Sequence, residues 1–174
     1  MYEIDAPGVL AFKRDALAAE GAAARCRLTQ IGADLAGEWE VPLRAAGLRP
    51  DAPTAWLAEG LLPYLTGERQ AELVETVART SAPGSSLTFD VICGGDVTEL
   101  SERSGIDMQS MLQGADGPAA LVDLVTRRGW TASRTDASAV ADRYGRDLSN
   151  PFADDTAGED APPWLDTVFV EASW

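Results

Sequence analysis

The 174-residue chain contains no histidine. That removes the commonest general base and the commonest metal ligand, and it excludes Ser-His-Asp and Cys-His machinery. Lysine occurs once, at Lys13, so Schiff-base chemistry has a single candidate, and the pattern around it places it on a surface helix. Cysteine occurs twice, at Cys26 and Cys93, both in apolar, strand-like stretches. Their spacing suits neither a metal site nor a disulfide framework, so buried free thiols in a reducing cytoplasm are expected. No stretch approaches the ~18 apolar residues of a membrane span. Met1 is followed by Tyr2, Glu3 and Asp5 rather than by a basic segment and an apolar core, so no signal peptide is expected. Basic residues are scarce: 14 Lys and Arg stand against 28 Asp and Glu, a net charge of −14. Phosphate backbones and anionic membranes should repel such a chain, so neither a nucleic-acid partner nor a membrane partner is expected. An enzyme with this inventory works with carboxylates, tyrosines, backbone groups or a reactive cofactor.

What is present is an ordinary globular balance, 45% hydrophobic and 24% charged residues. The length suits one domain over residues 1–174. Tyr2 to Ile4 reads as a strand and Pro7 to Glu20 as a helix with Val9, Leu10, Phe12 and Leu17 on one side. Arg25 to Ile31 reads as a second strand ending at "GADL", and Glu38 to Ala46 as a short helix closed by Gly47. Thr54 to Ala58 is a third strand that runs straight into "EGLLPYL". Thr66 can cap a helix from Gly67 to Arg79 with Leu73, Val74 and Val77 inward. Ser86 to Ile92 follows as a strand, then an irregular stretch with a short helix at Asp107 to Leu112. Pro118 to Arg128 is a helix closed by Gly129, Trp130 to Ser133 a strand, and Ala137 to Tyr144 a helix. Residues 147–163, rich in Pro, Asp and Gly, read as a solvated acidic loop, and Thr167 to Ala172 as a last strand.

Strands alternating with helices at this spacing imply βαβ units and a mostly parallel α/β sheet. Such sheets bind ligands at the carboxyl ends of their strands. Those ends carry Asp5, then Asp34 with Leu35, then Glu59 with Gly60. Three acids in succession, with no basic residue among them, suit a ligand rich in hydroxyls and amines. Asp5 can accept hydrogen bonds from ribose hydroxyls, or it can cap the helix that starts near Pro7. Asp34 can accept from the exocyclic amine of adenine while the Leu35 N–H serves a ring nitrogen, or Asp34 can cap the segment that follows. Glu59 can face a cationic or amine group, or cap its turn. Trp56 and Tyr64 read as core residues.

These stretches carry a resemblance. "YEIDAPGVLAFK", "GADL" with its Asp34 29 residues after Asp5, "PTAWLAEGLLPYLTGERQAELV", "SAPGSSLTFD" and "DRYGR" resemble the bacterial S-adenosylmethionine-dependent methyltransferases related to leucine carboxyl methyltransferase. The most specific stretch is "AWLAEGLLPYL", and the likeness runs over essentially the whole chain. The resemblance implies a Rossmann-like class I methyltransferase sheet with helices on both faces. It implies S-adenosyl-L-methionine as cofactor, with Asp5 at the ribose, Asp34 and Leu35 at the adenine, and Glu59 beside the site of methyl transfer. Tyr144 and Arg146 of "DRYGR" are candidates for orienting an anionic substrate, or else a surface pair at a helix end. No catalytic residue and no metal ligand is singled out.

Members of the family also carry a helical N-terminal region and a first strand with a glycine-rich turn, which have no counterpart here. In the family's fold that strand is central, so the chain resembles a methyltransferase domain shortened at its N-terminus and missing its first strand. Its absence would leave two strand edges open, through which the chain could pair with itself or with a partner. The activity implied is O-methylation of a carboxylate or hydroxyl on a small molecule or peptide. The alternatives are an inactive remnant acting through a partner chain and, as the lesser one, a nicotinamide-dependent oxidoreductase, since a ribose-binding acid suits both cofactors.

Overall fold

The computed structural model of the chain describes residues 1–35, 37–92, 101, 107, 118–146 and 167–174. Cys93, the expected helix from Asp107 to Leu112 beyond its first residue, and the loop at 147–163 lie outside the described residues. The chain forms two compact units, Met1–Asp51 and Ala52–Trp174.

The first unit is built from β1 (Tyr2–Asp5), α1 (Pro7–Ala19), β2 (Thr29–Gly32) and α2 (Glu40–Ala45). The strands β1 and β2 pair in parallel, with Tyr2 opposite Thr29 and Asp5 opposite Gly32. Pro7 starts α1, where its fixed φ is already helical and its missing N–H costs nothing. Two short strands offer α1 little to pack on. Among the apolar residues expected inward, only Leu10 is buried, whereas Val9, Phe12 and Leu17 are exposed, Phe12 to 76%. Leu10 joins Ile31, Trp39, Leu43 and Leu48 in a small core. The second strand begins at Thr29 and not at Arg25, because the Arg25-Cys26-Arg27 run has no apolar alternation to bury. Cys26 therefore lies before the strand as an exposed free thiol, not a buried one.

Lys13 does sit on the exposed side of α1, where its ammonium pairs with the Glu3 carboxylate on β1. Gln30 on β2 donates to the other Glu3 oxygen at 2.9 Å. These hydrogen bonds, from Lys13 first and Gln30 second, hold the Glu3 carboxyl below the usual carboxylate range against the opposing effect of burial. A depressed folded pKa means the contribution is complete above the unfolded value and is lost as the pH falls through the folded one. Lys13 is half exposed, so the pair contributes below about 1 kcal/mol. Protection of the β1 and β2 amides relative to their intrinsic exchange rates should fall as the pH drops below the usual carboxylate range, and Glu3→Gln should flatten that acid limb. An unchanged limb in Glu3→Gln would remove Glu3 as its source.

The second unit holds β3 (Ala55–Ala58), a 3₁₀ turn (Leu62–Tyr64), α3 (Gly67–Arg79), β4 (Ser86–Ile92), α4 (Pro118–Arg127), β5 (Thr131–Asp136), α5 (Ala137–Tyr144) and β6 (Thr167–Ser173). Its sheet has the order β3-β4-β6-β5. β3 and β4 are parallel, and β6 runs antiparallel to both β4 and β5. The parallel direction expected from the alternation thus holds for β3, β4 and β5, and β6 alone is reversed, inserted between the last two. Leu87, Phe89 and Val91 of β4 and Val168, Val170 and Ala172 of β6 are buried at period two, as pleated strands require. α4 and α5 both contact β5 and β6. Leu73, Val74 and Val77 of α3 point inward as the pattern predicts, and the Thr66 hydroxyl accepts from the Arg69 N–H as its N-cap. Among the described residues, no helix is long and apolar enough to cross a membrane.

The sheet pairings leave β1 with β2 as its sole neighbour and β3 with β4 as its sole neighbour among the described strands. Among the described residues, each unit therefore has a parallel strand paired on one side only.

Candidate functional site

In the first unit, strand register brings the candidate acids to one end. Asp5 closes β1 opposite Gly32, and the Ala33 N–H donates to the Asp5 carbonyl at 3.0 Å, so the chain leaves both strands at the same level. Gly32 is needed there, since a Cβ on it would lie 3.0 Å from Pro7 Cγ at the start of α1. Directly after it, the Asp34 carbonyl accepts from the Gly37 N–H at 2.9 Å, closing a turn that contains Leu35.

Asp5 is not the N-cap of α1, and Asp34 is not the N-cap of α2. The N-cap of α1 is Ala6 and that of α2 is Trp39, and neither helix has a side-chain cap bond. One Asp5 oxygen accepts from the Ala6 N–H at 2.7 Å, and the other has no partner among the described residues. Asp34 is exposed. The Leu35 N–H makes no hydrogen bond among the described residues. The end of the sheet therefore offers a half-buried carboxylate oxygen, an exposed carboxylate and a backbone donor. That set fits a ribose diol and the edge of an adenine, which need acceptors for hydroxyls and an amine and one donor for a ring nitrogen.

In the second unit, β3 ends at Ala58 opposite Phe89 of β4. Glu59 follows as an exposed residue whose carboxylate has no partner among the described residues. Gly60 adopts φ +60, a left-handed conformation that side chains disfavour. Its N–H donates to Asp90 Oδ1 at 2.7 Å. The strand-end signal does not mark Asp90, because it lies inside β4, two residues before that strand ends. Behind this turn, buried Gln70 donates through Nε2 to the carbonyls of Leu62 at 2.9 Å and Leu65 at 3.1 Å. Trp56 is half-buried with its Nε1 donating to Ser81 Oγ at 2.9 Å. Tyr64 is exposed rather than a core residue, because the 3₁₀ turn buries Leu62 and Pro63 and directs the next position outward.

Tyr144 is 69% exposed at the end of α5. Arg146 is exposed just beyond Gly145, which closes the helix at φ +59. The Arg146 N–H donates to the Ala141 carbonyl, so the "DRYGR" stretch forms the helix terminus. No cluster of three or more potential metal ligands occurs among the described residues.

The family model described as leucine carboxyl methyltransferase matches residues 1–78, the stretch that holds Asp5, Asp34, Leu35 and Glu59. A protein of Mycobacterium ulcerans, provisionally named an S-adenosyl-L-methionine-dependent methyltransferase, is 40% identical over 170 residues, covering 91% of this chain and 56% of its own. Over residues 1–78 the chain is similar to the leucine carboxyl methyltransferase family, and over most of its length to this relative. A second relative of this methyltransferase-like chain, from Saccharopolyspora erythraea and similarly named, is 39% identical over 157 residues, covering 86% of this chain and 54% of its own. The chain thus spans about half the length of the curated relatives it matches.

Solved structures agree on the fold. An O-methyltransferase family protein from Burkholderia thailandensis superposes with a TM-score of 0.57 at 12% identity, covering 99% of this chain and 42% of that one. Human N-acetylserotonin methyltransferase, solved with its cofactor, gives 0.56 at 11% identity, with coverage of 99% and 39%. The α/β fold of the methyltransferase-like chain is that of class I methyltransferases.

Proposed function

We propose that the chain serves S-adenosyl-L-methionine-dependent methyl transfer to the oxygen of a carboxylate or hydroxyl on a small molecule or peptide. The observation that carries this reading is the register of β1 and β2. It sets the uncommitted oxygen of Asp5 and the Asp34–Leu35 turn at one end of a parallel strand pair. The names of the relatives support the cofactor, and the lack of histidine supports the acceptor class. When bound, the cofactor supplies a methyl made electrophilic by its sulfonium. For a carboxylate nucleophile the residues then need only orient and exclude water, because no proton has to be removed, whereas a hydroxyl must also pass its proton to a carboxylate or to solvent. Asp5 is assigned to the ribose hydroxyls, Asp34 to the exocyclic amine and the Leu35 N–H to a ring nitrogen. Glu59 is assigned to a cationic group of the ligand. Tyr144 and Arg146 are the candidates for the substrate's anionic group.

Calorimetry with S-adenosyl-L-methionine tests the assignment in the chain joined to the N-terminal part of a relative. Asp5→Ala and Asp34→Ala should each weaken binding by ~1–3 kcal/mol, the loss expected for hydrogen bonds to a charged acceptor. Parent-like binding by both variants would return these acids to a purely local role.

The open edges of β1 and β3 favour a second reading, in which the chain acts while paired with another polypeptide. Light scattering on the purified chain distinguishes the two, because this reading requires a mass above that of one 18.4 kDa chain.

A further inference from the structure

We propose that Trp174 is a latch on the second unit, and that its release loosens the start of β3. The start of β3, the turn before β4, the start of β5 and the residue after β6 meet at one end of that unit's sheet, away from Glu59. Trp174 follows β6 and is held there through its backbone. Its N–H donates to the Ser85 carbonyl at 3.0 Å, and its carbonyl accepts from the Gly84 N–H at 3.1 Å. Its ring stands edge-on to that of Trp130, with centroids 5.2 Å apart and an interplanar angle of 76°. The ring also reaches Gly129, where a Cβ would lie 3.9 Å from Cη2. Trp130 is 2% exposed, and its Nε1 has no hydrogen-bond partner among the described residues. A buried donor left unpaired is costly, and water offsets that cost once it gains access. Trp174 is 41% exposed, so its ring can swing outward, whereas that of Trp130 is held in the core. The ring contact favours the closed latch and the unpaired N–H favours the open one, which brings the two states close in free energy.

Ser85 couples the latch to β3. It is 1% exposed, and its carbonyl is the one that accepts from Trp174. Its Oγ accepts from the Thr54 N–H at 3.0 Å and donates to the Ala82 carbonyl at 2.6 Å. Thr54 directly precedes β3, a four-residue strand paired only with β4 among the described strands. So short a strand has little else to hold its start, and a shift at Ser85 passes into it.

The test is hydrogen exchange in the ¹⁵N-labelled 174-residue chain, read at the Trp130 indole and at backbone amides. Trp174→Ala removes the ring and keeps the backbone bonds. Relative to the Val77 and Val170 amides, which report on the core of the unit, exchange should accelerate at least ~10-fold at the Trp130 indole and ~3–10-fold at the Thr54 amide. Trp174→Phe, which keeps an aromatic ring, should restore most of the protection. Ser85→Ala separates the coupling from the latch. In that variant the Thr54 amide should exchange faster while the Trp130 indole holds, and adding Trp174→Ala should move Thr54 no further. Equal acceleration at all these sites in Trp174→Ala would mean a general loss of stability and overturns the proposal. A Trp130 indole that ignores Trp174→Ala overturns it too, as does a Thr54 amide that responds to Trp174→Ala equally with and without the Ser85 hydroxyl.

Discussion

Joined to the N-terminal part of a relative such as the Mycobacterium ulcerans protein, the chain should transfer methyl groups at least ~100-fold faster than residues 1–174 do alone. The chain covers 56% of that relative's length, so a large part of the relative has no counterpart in it. The acids assigned to the adenosine end, Asp5 and Asp34 with Leu35, order only one half of the cofactor. Transfer needs the methyl itself held in line with its acceptor, and a misplacement of ~1 Å can cost about 100-fold in rate. The strand edges say the same in structural terms. β1 and β3 are short parallel strands, each paired on one side only among the described strands. A partner strand on each of those edges would order the turn that follows it, the turn carrying Asp5 in the first unit and the one carrying Glu59 in the second. The measurement is transfer of labelled methyl from S-adenosyl-L-methionine to a panel of carboxylic acids and phenols, with and without the added segment. Equal turnover by the two proteins would mean that the described residues already hold the whole cofactor.

Phe89→Ala should cost the second unit ~3–5 kcal/mol, the range for deleting a buried aromatic from a packed core. Phe89 is 1% exposed and lies on β4, which pairs with β3 on one side and with β6 on the other. Its ring shares the buried face with Leu87 and Val91, so the cavity has rigid strands around it and little room to collapse. Domains of this size have total stabilities of ~5–15 kcal/mol, so the variant should lose more than about 1 M from its urea midpoint. Leu57→Ala on the neighbouring strand is the contrast. Leu57 is 65% exposed, and its loss should stay within ~0.5 kcal/mol. Similar midpoints for Phe89→Ala and the parent would place the core elsewhere.

The second half of the chain was the more legible in sequence. β4 and α3 fall where periodicity and caps put them, because each buries a regular apolar face, and α5 falls in place although Ala141 alone of its residues is buried. The first unit was harder. The apolar side of α1 is real in sequence but largely uncovered in the fold, since a helix buries only as much as its neighbours can cover. The start of β2 was misjudged because Cys26 was counted as apolar between two arginines. Pairing order is a tertiary property, so the insertion of β6 between β4 and β5 could not be read from local pattern. At the site, the strand-end rule found Asp5, Asp34 and Glu59 but not Asp90, whose meaning depends on a hydrogen bond to a residue 30 positions away. The rule also left capping open for Asp5 and Asp34, and the observed N-cap of α1, Ala6, decides against it for Asp5 alone.

The open edge of β3 has a colloidal consequence. Ala55, Trp56, Leu57 and Ala58 carry no charge and no proline, the two devices that usually keep an edge from pairing with another copy. What opposes such pairing is the chain's net charge of −14, a repulsion that acts over the Debye length. That length is ~30 Å at 0.01 M salt and ~8 Å at physiological ionic strength. The salt concentration around the protein therefore sets how closely two uncovered β3 edges can approach, and dilute buffer favours the separate chain.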